Sequence, residues 1–252
     1  MQKAKIGLIG LVHEEAKQDF WGTMQRVAAI GYQGIEGGEA LLEGDVETDI
    51  QRFHDLGLQV LTISASREQL RENVADLIAR ARDLHTDRVT VWWAPCDSRQ
   101  AMMQDAELYN AAGARLAEAG VTLCYHNHNH EFTNAFDGVY AFDLLAANTD
   151  PQNLKFVVDV AWVTFGGEDP VRVLKRLQGR VASVHVKDFA RLDEPNHFTA
   201  VGTGVVNIKG SVQAGIETGV EWMVVEQDRL RHLNAMDTIT LSYLYLKETG
   251  LV

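Results

Sequence analysis

The sequence predicts a single (β/α)8 barrel, and three observations carry the expectation. Its 252 residues match the roughly 250 of one such barrel and exceed the length of a small domain. Gly31, Gly57, Gly120 and Gly219 each stand between an amphipathic stretch and an apolar run; glycine just past a helix supplies the left-handed turn that feeds a chain straight into a strand. Short runs rich in Val, Ile and Leu, without strict alternation, recur between the amphipathic stretches, as parallel strands covered by helices should. With only four prolines and no Ser/Gly-rich run, nothing reads as a linker. Residues 1–252 are therefore expected to form one domain.

The first strand is expected at 5–11. Lys3 and Lys5 before an apolar stretch also suit a secretory signal, but this stretch is short. It runs into His13-Glu14-Glu15 with no small-residue cleavage site, so a buried strand and a soluble cytoplasmic protein are expected. A helix over 19–30, with Asp19 at its start, leads to a strand at 34–36, and a helix over 45–56, starting on Asp45, to a strand at 59–64. The longest helical period, 67–84, precedes a strand at 88–94; 105–119 precedes 121–126, and 139–147 precedes 155–159. Pro170 directly behind Asp169 is a first-turn proline after an N-cap, opening a helix over 170–177 before a strand at 183–186. Helices at 208–218 and 236–247 flank the last strand, 222–226. An open doubly wound sheet would carry a Gly-x-Gly-x-x-Gly after its first strand, and none follows here.

Composition narrows the function. Hydrophobic residues at 46% and charged residues at 23% allow a sizeable core without disulfides or structural metal. Twenty-three Lys and Arg against 35 Asp and Glu give −12, a field that repels phosphate backbones and anionic membranes, so neither nucleic acid nor membrane is an expected partner. No apolar run is long enough to span a bilayer. Cys96 and Cys124 show no framework spacing and are expected as reduced core thiols.

The active site of such a barrel lies at the C-terminal ends of its strands, and unusual polar residues collect there. Glu36 ends the second strand, Asp159 the sixth and Glu226 the eighth; His185 and Lys187 lie in the seventh; His126, His128, His130 and Glu131 follow the fifth. Asp159 terminates the apolar run Phe156-Val157-Val158. A carboxylate there is either an N-cap or loop acid, or is paired with a cation, because burying it unpaired costs too much. A lone strand histidine is more often a satisfied core residue than a ligand, but Asp159, His185 and Glu226 stand at matching heights on consecutive strands, which points to one divalent metal: Mn, Co, Zn or Mg. Either His126 or Glu131 could complete its shell. Lys187, two residues past His185, should share its face; it could hold a substrate oxygen or stabilise an enolate, or merely form a salt bridge to Asp188 or a neighbouring acid. Trp92, Trp93, Trp162 and Phe165 fall at strand ends and could wall a sugar pocket, or simply pack in the core.

These motifs resemble the xylose isomerase-like barrels, also called the sugar phosphate isomerase/epimerase family. The resemblance runs through Tyr125-His126-Asn127-His128 with Glu131-Phe132, Asp159-Val160-Ala161-Trp162, Gly166-Gly167-Glu168-Asp169-Pro170, Gly179-Arg180-Val181 and His185-Val186-Lys187-Asp188. It continues through Val201-Gly202-Thr203-Gly204 to Glu226-Gln227-Asp228. It implies a (β/α)8 barrel holding one divalent metal, with Asp159, His185 and Glu226 as ligands. Many relatives end strand five with a metal-binding glutamate where this chain has His126, and inosose dehydratases resemble it in a histidine-rich strand five. Endonuclease IV shares the barrel, but its DNA partner does not suit this charge.

The resulting expectation is a metal-dependent isomerase or epimerase of a small keto-sugar or polyol-derived carbonyl compound, working through an enediolate. Glu226 or Glu131 would take the proton, a second acid or His128 would return one, and Lys187 would steady the enolate oxygen. Glu36, His126, Trp162 and Trp93 would contact the substrate. The alternatives are a lyase or dehydratase acting on an inosose-type ketone or a 3-keto-glycoside, and a non-catalytic sugar-binding barrel. A neutral carbohydrate or cyclitol suits the negative balance. Barrels of this kind often pair, which admits a homo-oligomer.

Overall fold

A computed structural model describes residues 3–194 and 196–252. Among them, eight parallel strands close a barrel: β1 (Lys5–Ile9), β2 (Gly34–Glu36), β3 (Gln59–Ser64), β4 (Arg88–Val91), β5 (Thr122–His126), β6 (Lys155–Asp159), β7 (Val181–Val186) and β8 (Trp222–Val225). Each strand pairs with its neighbours in chain order, and β8 returns to β1. The expected strands stand, shortened or extended by a few residues at their ends.

Helices cover the outside: α1 (His13–Gln18), α2 (Phe20–Ile30), α3 (Val46–Asp55), α4 (Arg67–Glu72), α5 (Val74–Asp83), α6 (Arg99–Glu118), α7 (His130–Thr133), α8 (Ala141–Asn148), α9 (Val160–Phe165), α10 (Pro170–Arg176), α11 (Ile208–Glu217) and α12 (Ala235–Glu248). The expected N-caps Asp19, Asp45 and Asp169 each accept a backbone N–H of the first turn. Other expectations are corrected. The helix read over 67–84 breaks at Asn73, whose φ of −142° and ψ of 46° are not helical. The helix read from 105 begins at Arg99, because Ser98 caps it. Three short helices, α1, α7 and α9, were not expected at all.

The main core lies between the strands and the helices. Inside the barrel, Leu61, Trp222 and Val224 form a separate apolar cluster. Leu61 fills the space that a side chain at Gly7 or Gly34 would need. Since alternate residues share a face, this plug lies one layer below Glu36, and the polar groups above it face the mouth. Register sets their height: Asp159 pairs with His185, and His185 with Val224, so Glu226 comes one step above.

The wall that carries β6 depends on a close approach. A methyl at Gly113, in the middle of α6, would stand 2.0 Å from the Asn153 carbonyl oxygen just before β6. Helix propensity alone would make Gly113→Ala stabilising by about 1 kcal/mol; the clash opposes it by roughly 1–3 kcal/mol or more. Urea unfolding should therefore find Gly113→Ala less stable than wild type, and a stabilised variant would refute the close approach.

Candidate metal centre and active site

His126 at the end of β5, Asp159 at the end of β6, His185 in β7 and Glu226 just past β8 bring their ligand atoms within 4.8 Å of one another. His126 Nε2 lies 3.5 Å from Asp159 Oδ2 and 3.7 Å from Glu226 Oε2. His185 Nδ1 lies 2.8 Å from Glu226 Oε2, while its Nε2 lies 2.6 Å from Glu36 Oε2. Ser183, two residues before His185 on the same face, donates its hydroxyl to Glu36 at 3.2 Å. Glu36 is thus a buried carboxylate behind the His185 ring, placed to accept Nε2–H and leave Nδ1 facing the cluster, the usual arrangement behind a metal-bound imidazole.

Asp159 serves two purposes. Its Oδ1 accepts the backbone N–H groups of Ala161 and Trp162, both at 2.9 Å, and so caps α9. Its Oδ2 turns to the mouth. Asn127 ties the strand end: its side-chain oxygen accepts Asp159 N–H at 3.0 Å and its amide donates to Asp159 O at 3.3 Å. The N-cap and the paired acid weighed from sequence are therefore one residue.

Lys187 lies past the end of β7 but keeps the face of Ser183 and His185. Its fully buried Nζ is 3.0 Å from Asp159, 3.0 Å from Glu226 and 2.7 Å from Asp228. It does not pair with Asp188, whose carboxylate instead accepts the backbone N–H groups of Gly202, Gly204 and Val206. Asp228 belongs to the cluster and was not singled out from sequence; the available signal was its position two residues past Glu226, on the same side of an extending strand. Trp162 closes one side, with Lys187 Nζ 5.1 Å from its ring and His128 at 5.6 Å.

Glu131 lies outside this group. Its oxygens accept the Tyr125 hydroxyl at 2.6 Å and the His128 backbone N–H at 2.9 Å, because Tyr125 points to the opposite face of β5 from His126. Cys96, His130 and Glu131 form a second convergence of donor atoms. Glu131 is already engaged there, and burial, then Glu131 itself, push the Cys96 thiol far up so that it stays protonated. Trp93 is 58% exposed and stands beside His130, not in the cluster.

The electrostatics follow from this crowding. Burial alone would lower His185, but the Glu36 and Glu226 carboxylates reverse this and push it up to about 10. His126 is likewise held above its ordinary value by Asp159 and Glu226 against burial. Burial works to raise Asp159 and Glu226, yet the Lys187 ammonium keeps Asp159 low and Glu226 well below the usual carboxylate range. Burial, reinforced by His126 and Lys187, drives His128 down to about 3 and keeps it neutral.

These residues fit a divalent cation on three counts. Bonds of about 2.0–2.2 Å place donors roughly 3–4 Å apart around one ion, which matches the His126, Asp159 and Glu226 spacings. Among the described residues, His126 Nε2 is buried without a hydrogen-bond partner, although it faces the Asp159 and Glu226 carboxylates. With both imidazoles neutral, four carboxylates (Glu36, Asp159, Glu226, Asp228) against one ammonium leave a formal −3.

Comparison with known proteins agrees with this architecture. The chain matches the Xylose isomerase-like TIM barrel family over residues 24–244, and it belongs to that family. It is 27% identical over 157 residues to an inosose dehydratase of Geobacillus thermodenitrificans, a match covering 56% of this chain and 52% of that protein. The chain thus spans about half the length of the curated relatives it matches. Among solved structures, a sugar phosphate isomerase/epimerase from Parabacteroides distasonis superposes with a TM-score of 0.82 at 22% identity, covering 100% of this chain and 96% of that one. The IOLI protein, solved with a bound zinc atom, gives 0.71 at 17% identity over 98% of this chain and 96% of that one. No described helix is long and apolar enough to cross a membrane.

Proton linkage makes the site testable. With its folded-state value raised from 6.5 to about 10, His185 stabilises the metal-free protein fully below pH 6.5, and this is lost as pH rises through about 10. A cation needs the neutral ring, so binding should expel that proton. Calorimetric titration with Mn²⁺ at pH 7.5, in buffers of different ionisation enthalpy, should show release of at least about one proton, from His185 with a contribution from the raised His126, and affinity tightening as pH rises. Proton uptake, or pH-independent affinity, would contradict the arrangement.

Proposed function

We propose that the protein is a metal-dependent enzyme that removes a proton next to the carbonyl of a small polyhydroxy ketone, a carbohydrate or cyclitol. The observation that carries this is the convergence of His126, Asp159, His185 and Glu226 around a buried lysine at the barrel mouth. A divalent ion held by those four residues would supply Lewis acidity toward a carbonyl and an adjacent hydroxyl.

The chain's own residues divide the remaining work. Glu226 has 16% of its side chain exposed, against essentially none for Asp159 and His185, and is the ligand-set carboxylate placed to receive a substrate proton. Lys187 stays charged, with its ordinary value raised further by Asp159, Glu226 and Asp228 against burial. It is therefore a fixed cation for the oxygen that gains negative charge, and not a base. Neutral His128 suits a hydrogen bond to a substrate hydroxyl. Glu36 holds the His185 ring, and Trp162 offers an apolar wall to a sugar face.

The intermediate, an enolate, has two exits: reprotonation gives isomerisation or epimerisation, and loss of a β-substituent gives a lyase. Sequence alone favours the first. The relatives named inosose dehydratase, matched at 27% identity, support elimination as the outcome here, with water or an alcohol leaving from the carbon beyond the one deprotonated.

Incubation in D₂O with Mn²⁺ and an inosose, a ketohexose or a 3-keto-glucoside, followed by NMR, tests the reading. Deuterium entry beside the carbonyl, or loss of water or aglycone, is expected for at least one of them. Lys187→Met should slow that step by about 10²–10³-fold while binding Mn²⁺ no more weakly, because it removes a competing positive charge. Metal binding with neither exchange nor elimination on any of the three would overturn the proposal in favour of a sugar-binding barrel.

A further inference from the structure

The barrel mouth is divided. The ends of β5–β8 carry the charged cluster, whereas the ends of β1–β4 open onto a cleft of about 890 Å³ lined by Ile9, Gly10, Glu36, Ser64 and Trp92 and by the start of α2. Pockets of roughly 300–1,000 Å³ hold drug-sized ligands, so this volume is far more than one sugar ring fills. Phe20 and Trp21 line its far side, half-buried, with their rings edge-on at 5.1 Å. The Arg52 guanidinium lies 4.0 Å from the Trp21 ring centroid and holds it in place. A Cβ at Gly10 would meet nothing within 4 Å, so the backbone there borders open space. Lys17, on the cleft lining, pairs with Glu14 at 2.9 Å.

Trp92 joins the two halves. Its indole N–H donates to Ser64 Oγ at 3.0 Å, and the Ser64 backbone N–H donates to Glu39 at 2.6 Å, which fixes the ring. That ring lies 5.8 Å from His126 and 5.9 Å from His185, yet also lines the cleft. Glu36 is shared in the same way, touching His185 and lining the cleft. A ketone seated at the cluster can therefore carry a substituent across a fixed aromatic wall, toward Phe20 and Trp21.

We infer that this cleft is a subsite for an apolar, aromatic substituent carried by the polyhydroxy ketone. The inference rests on the proposed chemistry at the cluster and adds the substrate's second half. Aromatic walls with offset and edge contacts select a planar ring; of the acidic groups that also line the cleft, Glu36 is engaged by His185 and Glu39 by the Ser64 backbone N–H.

The test uses two probes that differ only in the substituent, 4-nitrophenyl and methyl 3-keto-β-glucosides. Proton exchange beside the carbonyl is followed in D₂O with Mn²⁺, and binding by tryptophan fluorescence. The aryl probe should show a KM and Kd about 10–100-fold lower than the methyl probe, the range expected for burying one aromatic ring. Ala40→Trp, which adds bulk at an exposed position on the cleft lining and outside the cluster, should erase that preference and leave the methyl probe within about twofold. Phe20→Ala should weaken the aryl probe selectively. Equal KM and Kd for the two probes in wild type, or equal damage to both in Ala40→Trp, would overturn the subsite. Absence of exchange with both probes while the aryl compound still binds more tightly would overturn the proposed chemistry and keep the subsite.

Discussion

A lysine ammonium with no exposure to solvent lies between three carboxylates, and the organisation of the mouth depends on that contact. Leaving any of these groups buried and alone would cost several kcal/mol, so β6, β7 and the end of β8 are constrained to present Asp159, Lys187 and Glu226 together. Asp228 adds a third carboxylate to one cation, and Glu36 a fourth behind His185. The cluster is thus over-supplied with negative charge in the absence of a cation. Protonation of His185 relieves part of this in the free protein, and a divalent ion would relieve more. The same excess explains why the lysine stays charged, whereas burial, with His126 and Lys187 nearby, keeps His128 neutral beside Trp162.

Much of the barrel was legible in the chain because parallel strands covered on the outside read as continuous apolar runs, and glycine marks where helices turn into them. The missing helices have specific causes. Residues of α9, Val160-Ala161-Trp162-Val163-Thr164-Phe165, are β-branched or aromatic almost throughout and carry no helical signal of their own; the helix exists because Asp159 caps it. The break at Asn73 and the start at Arg99 are set by local backbone geometry and by Ser98, which periodicity does not register.

Within the site, Asp159, His185 and Glu226 stood out because each is a polar residue at or near the end of an apolar run. The choice between His126 and Glu131 was not legible. It turns on which face of β5 each neighbour occupies, and specifically on the Tyr125 hydroxyl, which engages Glu131 behind the strand. Asp228 was within reach of strand parity, two residues past Glu226, whereas Glu36 owes its role to the fold, lying 149 residues from the histidine it supports.

The mouth therefore has a charged cluster built by β5–β8 and, beyond β1–β4, a cleft walled in part by Phe20, Trp21 and Trp92, the two meeting at Trp92 and Glu36. The central claim is that the charged cluster is a divalent-metal centre completed by His126. Anomalous diffraction at the manganese edge from Mn²⁺-soaked crystals tests it most directly. The account predicts one peak within bonding distance of His126, Asp159, His185 and Glu226. No peak there, or a peak at Cys96, His130 and Glu131 instead, would contradict it.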